Sequence, residues 1–285
     1  MDDTSIFTHM MDDIERVVSD DPVISAILDD AFRSEKDGDK ASAVDQYRKA
    51  ADAGCSDAMV HLAMMLIDGS EDERAEAISL LERADEAGNP SGTRNLGYCY
   101  AVGVGVEKDK ELAAKLYIKA ADAGNAKAMC NIGVLYSYGH GVKQDFAKAA
   151  EWYKKSAEAG YSRGMTNYAV ALRDGKGVER NPNLAVEWFR RSGSPRAKRH
   201  LGIMMLEGNG IPQDCDGAMG LLEDASATDS KAMVALADAI VDSDRERAVS
   251  LYNKAASKWN KDAVERLEKL GLPVPEQAPR KKKKS

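Results

Sequence analysis

The sequence has few cysteines and no long apolar run. Its four cysteines, Cys55, Cys99, Cys130 and Cys215, are scattered and form no CxxC pair. This spacing argues against disulfide and zinc frameworks and predicts free thiols in a reducing compartment. No apolar stretch approaches the roughly 18 residues that a membrane-spanning helix needs, so no span is expected.

The N-terminus lacks the basic start and the apolar run of a secretory signal. Its opening stretch, MDDTSIFTHMMDDIERVVSDD, is strongly acidic, and we therefore expect a cytoplasmic protein. Across 285 residues, 40 Lys and Arg stand against 47 Asp and Glu, for a formal net charge of −7. Nucleic-acid-binding domains normally carry a basic face, so we expect no nucleic-acid partner.

The last six residues, RKKKKS, are basic and stand apart from this acidic body. One interpretation is a solvated terminus that aids solubility. Another is a signal for nuclear import in a eukaryote, or for binding to an anionic surface. The ending also matches the K-K-x-x pattern of endoplasmic-reticulum retrieval, but that signal acts on membrane proteins. The role of the tail stays open.

The chain repeats itself at intervals of about 36 residues. A segment related to AADAG ends at Gly54, Gly88, Gly124 and Gly160. An L-G-x-x-Y motif follows, then a G-x-G-[VI] loop, and then a D-x-x-x-A-x-x-[WL]-[YF] segment, although the repeat after Gly54 has a weaker motif and lacks the second glycine of the loop. Repetition at this period indicates an array of similar structural units rather than separate domains.

Each repeat predicts a pair of helices. The L-G-x-x-Y segment spaces its apolar residues three and four apart, as on one stripe of a helix. The G-x-G loop ends that helix, because glycine accepts the left-handed conformation of a C-cap. Asp109, Asp145 and Asp214 then stand where the N-cap of a second helix belongs. One such hairpin cannot bury its apolar faces alone, so neighbouring hairpins must stack.

We predict an all-α chain in which seven hairpins occupy residues 23–258. An acidic, partly helical leader over 1–22 precedes them, and a capping helix over 259–271 follows. A disordered basic tail is predicted over 272–285, where the prolines of LPVPEQAP block helix hydrogen bonding. The predicted hairpins lie near 23–57, 58–92, 93–128, 129–164, 165–199, 200–232 and 233–258.

The combined pattern resembles the Sel1-like repeats, which are related to tetratricopeptide repeats. The resemblance covers roughly residues 23–258 and is closest in NIGVLYSYGHGVKQD and AAEWYKKSAEAG. It implies a right-handed α/α superhelical solenoid that acts as a scaffold or adaptor for protein or peptide partners. Such a scaffold needs no catalytic residue, cofactor or metal, and none is predicted.

Two other functions are weighed against the scaffold. Some cysteine-rich members of the family are described as β-lactam-binding or β-lactam-hydrolysing, with a disulfide inside each repeat. Here paired cysteines, an S-x-x-K motif and a Ser–His–Asp grouping are all missing, so this enzyme is the less favoured alternative. An RNA-reading helical repeat would carry a repeated polar code on a basic surface, which this acidic chain lacks.

Two columns of residues recur at the repeat period. His61 and His200 directly precede the Leu of the L-G motif, a place that Asn holds in the other central repeats. A metal site needs convergence, so we expect this column to hydrogen-bond between helices or to line the inner surface. Trp152 and Trp188 also share one repeat position, for which packing between repeats and an exposed aromatic ladder are the two interpretations.

A partner-binding groove is predicted on the first helix of each repeat, which lines the concave face in solenoids of the family. We count positions from the glycine of the L-G motif, or from the alanine that replaces it. Positions −6, −3, +1, +4 and +5 then share one helical face. This face is basic in the middle repeats and acidic in repeats one, two and seven. It predicts a groove for an extended acidic segment, and the alternative is a merely solvated surface. The predicted groove residues are Arg94, Tyr98, Lys127, Tyr138, Arg163, Arg173, Arg196 and Arg199.

Overall fold

The computed structural model describes residues 19–275, which contain fifteen α-helices and no strand. Within that range, no helix is long and apolar enough to cross a membrane. The helices are α1 Pro22–Lys36, α2 Lys40–Asp52, α3 Ser56–Leu66, α4 Glu71–Glu86, α5 Pro90–Val102, α6 Lys110–Asp122, α7 Ala126–Tyr138, α8 Phe146–Glu158, α9 Ser162–Asp174, α10 Pro182–Ser192, α11 Pro195–Glu207, α12 Cys215–Ser226, α13 Ser230–Ile240, α14 Arg245–Ser257 and α15 Lys261–Lys269.

The helices pair in chain order into seven hairpins, from α1 with α2 to α13 with α14. The predicted all-α hairpin array is therefore confirmed. The predicted hairpin boundaries fall a few residues late, because each first helix starts soon after the A-G glycine. In the third hairpin, Asn89 follows Gly88, caps α5 with its side chain, and places Pro90 at the first helical position.

The ends of the helices follow the predicted signals. Gly103 and Gly139 end α5 and α7 in the left-handed conformation, with φ of 77° and 70°. Asp109 and Asp145 then cap α6 and α8 by accepting hydrogen bonds from backbone amides of the first turn. These local signals set where each helix ends. Packing of the apolar stripes against neighbouring helices stabilises the helices themselves.

The chain forms two compact units, one up to Ala159 and the other from Gly160. The amino-terminal unit contains α1–α8 and the carboxy-terminal unit contains α9–α15. The predicted leader at residues 1–18 and the basic tail at 276–285 lie outside the described residues. Each unit has its own core of large, fully buried side chains. These are Tyr47, Leu62, Leu81, Tyr117, Ile132 and Leu135 in the first unit, and Phe189, Met204, Leu222, Leu236, Tyr252 and Leu267 in the second.

First helices form one side of each stack. In the amino-terminal unit α3 contacts α5, and in the carboxy-terminal unit α13 contacts both α11 and α15. Successive second helices make no comparable contact within residues 19–275. The first helices therefore lie closest together, and we call their open side the inner face of each unit.

Polar joints connect successive first helices. In the amino-terminal unit, Nδ2 of Asn89 donates to Ser56 and Asp57, while Nδ2 of Asn125 donates to Ser91. Each asparagine also caps its own helix through Oδ1. One side chain therefore both starts a helix and fixes it to the preceding repeat.

In the carboxy-terminal unit, the joint between α9 and α11 is different, because the loop before α11 is short. Four hydroxyls replace the asparagine there, and the Ser194 hydroxyl, which caps α11, lies 3.1 Å from Thr166 and 3.0 Å from Ser192. Ser192 also contacts Ser162 at 3.0 Å. The hydroxyls satisfy one another, so the shortened hairpin still closes on its neighbour.

Candidate partner-binding surface

The inner face of the amino-terminal unit is mainly apolar and aromatic. Tyr138 is 50% exposed, and its ring stacks on His140 with the centroids 5.9 Å apart. Tyr98 is half-buried, and burial, followed by the charges of Cys99 and Asp68, raises the pKa of its phenol. Tyr138 thus presents an exposed aromatic ring at the surface, as residues at binding hot spots often do.

Two of the predicted basic residues also lie in this unit. Lys127, the second residue of α7, is half-buried at the inner face. Arg94 is only 7% exposed, and its Nη2 donates to Oδ1 of Asn95 at 2.6 Å. The expectation that Arg94 lies on the open face was therefore wrong. Position −3 is turned toward the neighbouring repeat, where the side chain is covered.

The carboxy-terminal unit places its four predicted arginines in two settings. Arg163 and Arg196 are the second residues of α9 and α11, and Arg196 is exposed while its Nη1 donates to Oδ1 of Asn167 at 2.9 Å. Arg173 and Arg199 instead lie at joints between repeats. Arg163 is half-buried, and both members of the first pair hold position −6 at the inner face.

Arg199 is held in an ion pair. Its Nε lies 2.8 Å from Oδ2 of Asp229, the N-cap of α13, and the two side chains are 13% and 17% exposed. Arg173 pairs with Asp174 at 2.6 Å, and its Nη1 donates to Nδ1 of His200 at 2.9 Å. The fold thus uses these two arginines to connect successive first helices. The predicted strip is less basic than the sequence suggested.

The column of His and Asn residues lies between repeats. His200 stacks on Phe189 at 5.3 Å, and His61 stacks on Tyr47 at 5.2 Å with the same angle between the rings. Burial first, and then the charges of Arg199 and its neighbours, lower the pKa of His200 to about 2. The ring therefore stays neutral and accepts a hydrogen bond, which agrees with the predicted bonding between helices.

The aromatic residues of the second helices pack inside the stack. Trp188, Phe189 and Tyr153 are all buried, and only Trp152 is half-buried, with the Lys155 ammonium 4.4 Å from its ring centroid. Packing, and not an exposed aromatic ladder, is the interpretation that holds for this column.

The structure also shows two rows of charge that sequence reasoning did not separate. Both rows lie on the inner face of the carboxy-terminal unit, one at each end of its first helices. The basic row consists of Arg163, Arg196 and Lys231, and the acidic row consists of Asp174, Glu207 and Asp242. Comparing the same repeat position across the three helices would have found them. The prediction had grouped the face by its net charge instead.

Little in the described residues points to chemistry. No three His, Cys, Asp or Glu side chains between residues 19 and 275 converge in a way that could hold a metal ion. All four cysteines are free thiols, and burial raises the pKa of the Cys99 thiol to about 12. A thiol with such a pKa is a poor nucleophile at neutral pH.

The repeats of this chain match the model of a known protein family. The Sel1 repeat pattern matches six segments, which leaves only the first hairpin, α1 with α2, unmatched before them. The matched residues are 56–89, 90–125, 126–161, 162–194, 195–227 and 231–258. Among curated proteins, none matches this chain.

Several solved structures are similar to this chain. One is c5321, a protective antigen of uropathogenic Escherichia coli displaying an SLR fold, with 27% identity and a TM-score of 0.68. That match covers 89% of this chain, which spans 59% of the length of the antigen. A Sel1 repeat protein from Oxalobacter formigenes is 29% identical, with a TM-score of 0.64, over 77% of this chain and 94% of that one.

A more distant likeness concerns the fold alone. The immunity protein Pa5087 from Pseudomonas aeruginosa is 20% identical with a TM-score of 0.51, over 73% of this chain and 84% of that one. The repeat pattern covers well over half of the chain, and the helical hairpins have the order that the pattern requires. This chain therefore belongs to the Sel1 repeat family.

Proposed function

We propose that this protein is a non-catalytic scaffold that binds a protein partner along the inner faces of its first helices. The observation that carries the proposal is that side chains there are exposed without a role in packing. Tyr138 is an example in the first unit, and Lys231 and Glu207 are examples in the second. Proteins of the Sel1 repeat family commonly act through protein partners, which agrees with this assignment.

Acidic groups of the partner are the proposed ligands of the basic residues on these faces. Lys127 would bind them in the first unit, and Arg163 and Arg196 in the second. The planar guanidinium can hold a carboxylate with two hydrogen bonds, which makes arginine suited to this task. Tyr98 and Tyr138 would supply apolar anchors beside Lys127.

The remaining predicted groove residues have a supporting part in this proposal. Arg173 and Arg199 position the first helices relative to one another, Arg94 is buried, and none of the three contacts the partner directly. Arg173 and Arg199 are already engaged by Asp174 and Asp229. Their replacement would therefore disturb binding through the fold.

The test begins with the partner itself. The full chain is cross-linked in lysate of its source, the partner is identified by mass spectrometry, and its affinity is measured by titration. Replacing Arg163 and Arg196 by Ala should weaken binding at least about tenfold, or about 1.4 kcal/mol. Wild-type affinity should also fall as salt rises, because exposed charges are screened.

A matched control separates the inner face from net charge. Arg190 and Arg245 are exposed arginines on second helices of the same unit, and replacing both by Ala removes the same two charges. This variant should bind like wild type. Equal loss in both variants, or no loss in the first, would show that the partner binds elsewhere.

A further inference from the structure

The inner face of the carboxy-terminal unit is polarised across its width. The three cations of the basic row are each the second residue of a first helix. Asp174 and Glu207 of the acidic row are the last residues of α9 and α11, and Asp242 lies two residues beyond the end of α13. The two rows are eleven positions apart along each helix, which is about 16 Å at 1.5 Å per residue.

Helix formation does not explain this arrangement. The N-terminal end of a helix is the positive end of its dipole, so cations there and acids at the other end are both disfavoured. Second helices of the same unit follow the favourable order. α14 has Glu246 in its first turn and Lys254 in its last, and α10 ends with Arg190 and Arg191. The reversed order is clearest on α11, which has Arg196 as its second residue and ends with Glu207, whereas α9 also carries Arg173 in its last turn.

Packing does not use several of these charges either. Within residues 19–275, the side chains of Lys231, Glu207 and Asp242 make no hydrogen bond or ion pair. All three are exposed. Charges that break a local rule, without a contact that compensates for it, are expected at functional sites.

Between the rows lies an apolar strip. Val170 on α9 and Ile203 on α11 occupy position +1, and both are half-buried. On α13 the same position holds Asp238, which accepts from Tyr252 at 2.6 Å and from Arg266 at 2.9 Å. The centre of the face is therefore either apolar or already satisfied, and the open charges stand at its two edges.

We infer that the carboxy-terminal unit binds an extended partner segment whose acidic and basic side chains point to opposite edges. Acidic side chains would lie over the basic row and basic ones over the acidic row, with the backbone of the segment over Val170 and Ile203. This inference rests on the proposed function and adds a second requirement to it. A uniformly acidic segment satisfies only one edge and is repelled by the other.

The geometry favours a strand that runs across the helices. Successive side chains of an extended chain point to opposite sides, so alternating acids and bases separate into two edges without any turn. Long side chains from the segment and from the rows together can span the distance between them. The sequence signature of the partner is therefore alternation of charge, not net acidity.

The probe for the test is a phage-displayed library of random twelve-residue peptides, selected at low salt against the full chain. The enriched peptides should alternate acidic and basic residues. The best peptide is then synthesised beside a control of the same composition with its acids and bases in two blocks. The alternating peptide should bind at least about tenfold more tightly than the block control.

Neutralising the acidic row gives the decisive result. The alternating peptide should bind the variant Glu207→Gln with Asp242→Asn at least about fivefold more weakly than it binds wild type. A uniformly acidic peptide should instead bind this variant more tightly. The control variant Glu187→Gln with Asp216→Asn removes two exposed acids from second helices of the same unit and should leave binding unchanged. Circular dichroism of each variant verifies that the helices are intact.

Tighter binding after loss of the acidic row, with weaker binding after Arg163→Ala and Arg196→Ala, would overturn this inference but leave the proposed function standing. Binding that depends on neither row, or a library from which no peptide is enriched, would count against both.

Discussion

The two units repeat one hairpin but present different inner faces. In the amino-terminal unit this face holds apolar or aromatic residues at position +1, such as Met64 and Tyr98, and Tyr138 at position +5. In the carboxy-terminal unit it holds rows of cations and acids, with Val170 between them. The loops and buried positions are alike because stacking demands them. Inner positions can differ more, because they are only partly buried or exposed.

The joints between repeats differ only in part. Asparagines connect first helices in both units, Asn89 and Asn125 in the first and Asn260 in the second, but the carboxy-terminal unit also uses hydroxyls and the Arg199–Asp229 ion pair. Both solutions satisfy polar groups at the start of a helix, so either keeps the stack closed. The comparison shows that the repeat tolerates several chemistries at one joint.

The largest expected effect is a loss of stability when glycines are replaced in the G-x-G loops that both units contain. Gly141 and Gly210 have φ of 69° and 74°, and an added Cβ would collide with the Lys110 carbonyl oxygen and with the Pro182 backbone, respectively. Replacing either by Ala should lower the free energy of unfolding by about 3 kcal/mol, from strain and collision together. Urea denaturation followed by circular dichroism measures both changes.

A matched glycine isolates the collision from the strain. Gly124 also has positive φ, at 88°, but an added Cβ would meet nothing within 4 Å. Gly124→Ala should therefore cost only about 1 kcal/mol. If Gly141→Ala costs no more than this control, the close approach of its loop to α6 is not a source of stability.

The next effect concerns a joint present in one unit only. Arg199→Ala leaves the carboxylate of Asp229 poorly solvated and should cost about 2 kcal/mol. In the amino-terminal unit, Arg48 pairs with Glu76 at 2.8 Å, but the two side chains are 43% and 39% exposed. Arg48→Ala should cost well under about 1 kcal/mol. Equal costs in urea denaturation would mean that burial does not distinguish these ion pairs.

The smallest effect is an expected gain in stability. Trp259 occupies the place that Gly54, Gly88 and Gly124 hold in the amino-terminal unit, yet it has a φ of 63° and is 46% exposed. Trp259→Gly should raise the free energy of unfolding by about 1 kcal/mol, because the strain is removed and little burial is lost. Trp259→Ala keeps the strained Cβ and should give no gain. A loss with both substitutions would show that indole packing outweighs strain.

The sequence by itself determined the repeat and its hairpins. Apolar spacing, glycine pairs and capping aspartates such as Asp109 and Asp145 each act within a few residues, so they can be interpreted without a partner in space. The same local rules predicted the left-handed glycines. Hairpin starts were misplaced by a few residues, because the N-cap at Asn89 had not been recognised as the beginning of a first helix.

The tertiary structure alone decided which arginines face the open surface. Arg163 and Arg199 look alike on a helical wheel, but only Arg199 meets Asp229, a residue that belongs to the next repeat. Arg173 likewise meets His200 across a joint. Whether a charge is available to a partner depends on what the neighbouring repeat places against it, and that contact joins residues about 30 positions apart, beyond the reach of any local pattern.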